Sequence, residues 1–94
     1  MAKWAGLDGT STANLDLYQA AKTDQGWDTN VPFTKVSFIP TADCYIKVSA
    51  GDDIDADPKQ IKVLANIGWS EENCRIIKFV VVDTGIDYVL SYRW

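Results

Sequence analysis

The sequence predicts an all-β fold, a small antiparallel β-sandwich or barrel of the jelly-roll kind, preceded by an irregular or partly helical N-terminal arm. Three observations support this prediction. From Val31 onward apolar and polar residues alternate with a period of two, β-branched residues are enriched, and short breaks separate the apolar runs. Strands at such even spacing are typical of one small β domain. We therefore assign residues 1–30 to the arm and residues 31–94 to the antiparallel β domain.

The alternating segments predict five strands joined as a meander, in which each strand pairs with the next. Pro40 ends the first strand because proline has no N–H to donate to a ladder. A hairpin around Asp83–Gly85, with Gly85 in the left-handed region, is predicted to join the last two strands. The predicted strands are residues 33–39, 44–50, 60–67, 75–82 and 87–94.

The arm contains one segment with helical character, residues 14–22. Leu15, Tyr18 and Ala21 are spaced so that they share one side of a helix, and Asn14 is a suitable N-cap. The sequence predicts one or two turns of helix here, and an irregular arm is the alternative.

Charge and composition argue against several classes of partner and site. Thirteen acidic and nine basic residues give a net charge of −4, and the lysines are scattered singly. Nucleic acid and anionic membranes both require a basic face, so neither is expected as a partner. No apolar run is long enough for a membrane span or a signal peptide, which predicts synthesis in a cytoplasm.

The residue types that usually bind metals or act as nucleophiles are sparse. The chain has no histidine and no Cys-x-x-Cys pair, which argues against a zinc site. Cys44 and Cys74 are expected to be free thiols, and a single disulfide is the alternative. Without a histidine to activate a serine, and without a glycine-rich phosphate loop, we predict that the chain is not an enzyme and needs no cofactor.

The tripeptide Asp83-Thr84-Gly85 follows three valines, and in this it resembles the catalytic loop of a retroviral-type aspartic protease. Such an enzyme needs two of these loops facing each other, so that two carboxylates share a proton. In the proteases a flap hairpin and a second glycine-bearing loop follow the aspartate. Only nine residues follow Gly85, which leaves no room for a flap. The sequence therefore favours a turn over a protease site.

An acidic segment at residues 51–58 has some features of a calcium loop. Asp53, Asp55 and Asp57 have the one-three-five spacing of an EF-hand. An EF-hand needs glycine at position six and glutamate at position twelve, where this chain has Pro58 and Leu64. We predict a solvated acidic loop, with a looser calcium site as the alternative.

The segment around Trp69 allows two interpretations. Ser70 is predicted to cap a single helical turn that contains Glu71 and Glu72. Trp69 is expected in the core, and the alternative is an exposed ring that stacks on a sugar or a partner chain.

The strand and turn motifs "FIPTADCYIKV", "IKVLANIGWS" and "IKFVVVDTGIDYVLSYRW" resemble the β-rich modules of small virion proteins in tailed bacteriophages. The resemblance covers roughly residues 36–94. It implies a virion structural protein, made in the host cytoplasm, that acts as a capsid decoration (cement) or connector piece through contacts with capsid or neighbouring accessory subunits. It also implies a homo-oligomer, with a trimer as the usual form. The alternative function is a glycan-binding adsorption module with Trp69 and the loop Asp52–Asp57 as its site.

Aromatic residues are the candidate partner-binding side chains. Tyr88, Leu90, Tyr92 and Trp94 share one face of the last predicted strand. We expect this stripe to be covered by a neighbouring subunit or by the arm, and the alternative is that it packs inside its own chain. The candidates are Trp4, Trp27, Trp69, Tyr92 and Trp94.

Overall fold

The computed structural model describes residues 3–50 and 59–94, and these residues form one predominantly antiparallel β unit with a short helix. The predicted all-β class is confirmed. The elements are β1 (Trp4–Thr10), β2 (Leu15–Asp16), α1 (Leu17–Gln25), β3 (Phe33–Pro40), β4 (Cys44–Ala50), β5 (Lys59–Val63), β6 (Trp69–Val81) and β7 (Asp87–Arg93).

The strands form a sheet in the order β1-β7-β3-β6-β4-β5, and the short strand β2 additionally pairs with β6. The 13-residue strand β6 connects two halves of the sheet, one formed by β1, β7 and β3 and the other by β4 and β5. Its first part pairs with β3 and its second part with β4, so Ile76 is opposite both Phe33 and Ala50. Phe38 on β3 meets Phe79 on the second part of β6 at 5.3 Å between ring centroids, which joins the two halves into one core.

The observed strand order shows that the predicted meander and the predicted final hairpin are wrong. β3 lies between β6 and β7, so the last two strands do not pair with each other. The turn itself is present, and Gly85 has the predicted left-handed conformation with φ of 78°. Alternation along a strand fixes which residues share a face, but it carries no information about which strand is the neighbour.

Two strand boundaries also differ from the prediction. The strand predicted to run to residue 67 ends at Val63, and Asn66 then has a positive φ of 62°. The predicted helical turn at Ser70 is wrong, because Ser70 and the following glutamates lie in β6. Pairing with β3 outweighs the local preference for a capped turn.

Helix α1 is present but begins later than predicted. Its N-cap is Asp16, whose Oδ1 accepts hydrogen bonds from the backbone N–H groups of Tyr18 (3.1 Å) and Gln19 (3.2 Å). Asn14, the predicted cap, has a positive φ and donates its N–H to the carbonyl of Val82 at 3.3 Å. The helix ends at Gly26, which is left-handed with φ of 71°.

Part of the predicted arm contributes to the core. Leu17, Tyr18 and Ala21 on α1 are fully buried together with the inner residues of the sheet. β1 pairs along its whole length with β7. Within the described residues, no helix has the length and apolar character needed to cross a membrane.

Candidate protein-binding face

The Asp-Thr-Gly segment is a structural turn in which the aspartate binds backbone groups. The Asp83 carboxylate accepts a hydrogen bond from the backbone N–H of Tyr45 at 2.7 Å, and the Asp83 carbonyl accepts one from the Ser11 hydroxyl at 2.6 Å. The Asp83 side chain therefore anchors the start of β4 to the turn.

Ser11 fixes the rest of this turn from a buried position. Its hydroxyl accepts from the N–H of Ile86 at 3.0 Å, and its own N–H donates to the Ile86 carbonyl at 2.9 Å. Its carbonyl accepts from the N–H of Gly85 at 2.7 Å. The pairing of β1 with β7 thus continues through Ser11 into the turn.

The two cysteines are free thiols. Cys44 is buried, and burial raises the pKa of its thiol, with the charges of Asp83 and Asp43 acting in the same direction. Burial also raises the pKa of Cys74, whose Sγ donates to the Phe33 carbonyl at 3.4 Å. Both thiols are therefore held in the weakly nucleophilic protonated form.

Two expectations about ligand sites have different outcomes. The acidic segment, with its calcium alternative and the loop Asp52–Asp57, lies outside the described residues. Trp69 is partly buried and packs on Phe79, with 5.9 Å between ring centroids, so it is not a fully open aromatic platform. Within residues 3–50 and 59–94, no group of three or more acidic or cysteine side chains is arranged to hold a metal ion.

Most of the candidate aromatic residues belong to one cluster inside the chain. The Tyr92 ring is fully buried, stacks on Phe33 at 4.6 Å between centroids, and its hydroxyl accepts from Gln25 at 3.1 Å. Trp27 and Trp94 are half-buried at the rim of this cluster, 5.2 Å apart between centroids.

The apolar stripe on the last strand is therefore covered by residues of its own chain. β7 is also flanked on both sides, by β1 and β3, so it is not an edge strand. The segment around α1, with Gln25 and Trp27, provides the cover. The arm was one of the two covers expected.

The opposite side of the same strands forms an exposed surface, which we call the outer face. It consists of the outward residues of β1, β7, β3 and the first part of β6. Strand register arranges these residues in rows that cross the strands. The basic row contains Lys35 and Arg93, with Trp4 and Glu72 at its two ends. The apolar row contains Val89 and Ile39, with Asp8 beside them on β1, and Thr10 and Asp87 form a fourth row. The small-residue row lies between the basic and apolar rows and consists of Gly6, Ser91, Ser37 and Ser70.

The basic row places two cations directly opposite each other, Lys35 on β3 and Arg93 on β7. Both lie over the exposed ring of Trp4, with Nζ at 5.4 Å and Cζ at 5.7 Å from its centroid. Lys35 also pairs with Glu72 at 3.0 Å. Among the described residues Arg93 forms no ion pair. A pocket of about 220 Å³ opens here, lined by Thr34, Lys35, Glu72, Asn73 and Arg93.

The apolar row continues into a turn with exposed aliphatic side chains. Val89 and Ile39 are directly opposite each other on β7 and β3 and are 55% and 45% exposed. Gly68 packs against Ile39, and the neighbouring Ile67 is 74% exposed. Trp4, exposed to 54%, borders the other end of the outer face. Exposed aliphatic groups beside Trp and Arg are typical of protein-binding surfaces.

Of the predicted candidates, only Trp4 belongs to the outer face. Arg93, Lys35, Val89 and Ile39 are not among those candidates, although strand alternation already separates Val89 and Arg93 from the buried stripe. The cross-strand register, which brings Lys35 opposite Arg93, depends on the non-sequential strand order and leaves no local signal.

Comparison with known proteins gives no relatives: no protein-family model matches the chain, and no curated protein or solved structure is significantly similar to it.

Proposed function

We propose that the protein is a structural component of a bacteriophage virion, a capsid decoration or connector protein that acts through protein–protein contacts. The outer face carries this proposal. It presents Trp4, Val89 and Ile39 to solvent on one side of a sheet whose other side packs into the hydrophobic core. The motif resemblance to phage virion modules supplies the biological setting.

The shape and chemistry of the outer face fit contact with another protein better than uptake of a small molecule. Small-molecule pockets usually enclose about 300–1,000 Å³. The pocket at Arg93 has about 220 Å³, which is enough for one side chain. Protein interfaces combine exposed apolar or aromatic anchors with a polar rim, and the outer face has Trp4, Val89 and Ile39 beside charged side chains.

Incorporation into particles tests the proposal. Phage particles carrying the gene for this chain would be purified, and its copy number measured by mass spectrometry relative to the major capsid protein. The proposal predicts a fixed, stoichiometric copy number. Absence of the chain from purified particles would contradict it.

Point variants link incorporation to the outer face. Val89→Asp adds a charge to the apolar row and is expected to reduce incorporation at least tenfold. Gln19→Asp adds the same charge to the exposed side of α1 and is the matched control, expected to be incorporated normally. Equal incorporation of both variants would show that the outer face is not the contact surface.

A further inference from the structure

We propose that the outer face binds the same face of a second copy of this chain, around a two-fold axis that crosses the strands between the small-residue row and the apolar row. This inference rests on the proposed protein-contact role and names the partner. It goes beyond the general expectation of an oligomer, because it assigns the surface, the symmetry and the residue pairs.

The outward residues of β7 are complementary to themselves when read in the reverse direction. In chain order they are acidic, branched apolar, small and basic: Asp87, Val89, Ser91 and Arg93. A two-fold axis between Val89 and Ser91 places Asp87 of one copy opposite Arg93 of the other. It also places Val89 opposite Ser91. Each contact occurs twice, as an isologous interface requires.

The neighbouring strands obey the same relation. On β3 the axis places Ile39 of one copy opposite Ser37 of the other, so a large side chain again faces a small one. On β1 it places Trp4 opposite Thr10. Facing sheets pack about 10 Å apart with interdigitating side chains, which requires this alternation of large and small groups.

Electrostatics supplies a second and independent argument. Like charges directly opposite each other on adjacent strands are destabilising, and Lys35 and Arg93 have this arrangement. Glu72 neutralises Lys35, whereas among the described residues Arg93 has only the Trp4 ring. The Asp87 carboxylate of the second copy would enter the pocket beside Arg93 and compensate this charge.

Asp87 is already oriented for this contact. Its carboxylate accepts a hydrogen bond from the Thr10 hydroxyl in the same row, which holds it on the outer face. Its backbone carbonyl accepts from the N–H of Thr41 at 2.9 Å. A carboxylate has acceptor capacity for a guanidinium in addition to one hydroxyl donor.

The size of the face is compatible with a reversible dimer. Three strands of seven or eight residues and part of a fourth, about 4.8 Å apart, present on the order of 500 Å² per copy. The total of about 1,000 Å² lies at the lower limit for specific interfaces. We therefore expect dimerisation that depends on protein concentration and weakens with salt.

A charge exchange tests the assigned pairs, using sedimentation velocity over a range of concentrations. The wild-type chain should change from monomer to dimer as concentration rises. Arg93→Asp and Asp87→Arg, made singly, should each raise the dissociation constant at least tenfold. The double variant should recover to within about threefold, because it restores opposite charges across the axis.

The rescue is specific to contact between copies. Asp87 and Arg93 are six residues apart on one strand, about 20 Å at 3.4 Å per residue, so they cannot pair within a chain. Circular dichroism would confirm that each variant is folded. Val89→Ser and Ser91→Val, singly and together, repeat the test with size instead of charge, should the charge variants fail to fold.

Each other outcome overturns the inference. A chain that stays monomeric, a trimer as the associated state, or a folded double variant as weak as the single variants would each contradict the two-fold pairing. If the chain is monomeric but Val89→Asp is still lost from particles, the outer face binds a different protein. The inference then fails while the proposed function stands.

Discussion

The two faces of strand β7 differ in burial and in the contacts that their side chains make. The inner side chains Tyr88, Leu90 and Tyr92 lie in the core, and Tyr92 makes ring and hydrogen-bond contacts with Phe33 and Gln25. The outer residues are exposed or half-exposed, and they are Asp87, Val89, Ser91 and Arg93. One strand therefore provides both the centre of the fold and the centre of the proposed contact, with the two roles separated by the alternation of its side chains.

This separation means that the two faces should respond differently to mutation. Changes on the inner face should lower the free energy of unfolding, whereas changes on the outer face should alter association and leave folding almost unaffected.

Truncation of Tyr92 should have the largest effect. Tyr92→Ala removes a fully buried ring and leaves Gln25 without its partner, and large-to-small changes of this kind cost about 3–5 kcal/mol. Val89→Ala on the outer face is the matched control, with an expected change within about 0.5 kcal/mol. Urea unfolding followed by tryptophan fluorescence measures both. Similar losses for the two variants would break the distinction between the faces.

The two left-handed glycines that follow β5 and β6 differ in the space around them. At Gly68, whose φ is 80°, an added Cβ would overlap the Phe38 carbonyl oxygen and crowd Ile39 on the outer face. At Gly85 there is open space, so only backbone strain of about 1–2 kcal/mol per residue applies. Gly68→Ala should therefore be more destabilising than Gly85→Ala in thermal unfolding. The reverse order would contradict the close packing at Gly68.

Gly85→Val should also destabilise the chain, since a β-branched residue is strained in the left-handed region. The expected loss of unfolding free energy is on the order of 1–2 kcal/mol. A Gly85→Val variant as stable as the wild type in the same urea titration would show that the turn does not require this conformation.

Alkaline pH should lower the free energy of unfolding, because the core contains buried thiol and phenol groups. Burial raises the pKa of Cys44, Tyr18 and Tyr92 above the ordinary values of 9.0 for a thiol and 10.0 for a phenol. These groups lose their protons more easily in the unfolded chain. The unfolding free energy should therefore be constant below about pH 9 and fall as pH rises above it. Urea titrations between pH 7 and pH 11 measure this profile.

Cys44→Ala separates the thiol from the phenols. It should reduce the early part of the alkaline loss, because Cys74 is then the remaining described thiol with a raised pKa, and the buried phenols have ordinary values of 10.0. An unchanged profile in this variant would show that Cys44 does not contribute to the pH dependence.

The smallest effect is expected at Asp83. Asp83→Asn retains a side-chain oxygen that accepts from the N–H of Tyr45, so the loss should be about 1 kcal/mol or less. Assembly should be unaffected, and we expect no peptidase activity from either chain. Cleavage of a peptide library by the wild type, lost in this variant and blocked by a transition-state mimic, would overturn the structural role assigned to Asp83.

Much of the fold was predictable because strand alternation and turn residues act locally. The all-β class, the approximate positions of the five predicted strands and the left-handed Gly85 follow from period-two patterns and glycine. The strand order was not predictable in the same way. It depends on contacts between residues far apart in sequence, such as Ser11 with Ile86 and Lys35 with Arg93.

The candidate site was less predictable than the fold for the same reason. Large aromatic residues were chosen as partner-binding candidates, and Tyr92 instead proved to be buried. No single side chain of the outer face stands out in the sequence as a binding residue. These side chains form a continuous surface only because the register of four strands aligns them.

Cryo-electron microscopy of purified phage particles that contain this chain would show which side of the sheet faces a neighbouring protein. We predict that the outer face, from Trp4 to Val89, is covered by protein, while the exposed side of α1 faces solvent. Density in which α1 is buried against a neighbour and the outer face is open to solvent would contradict this assignment.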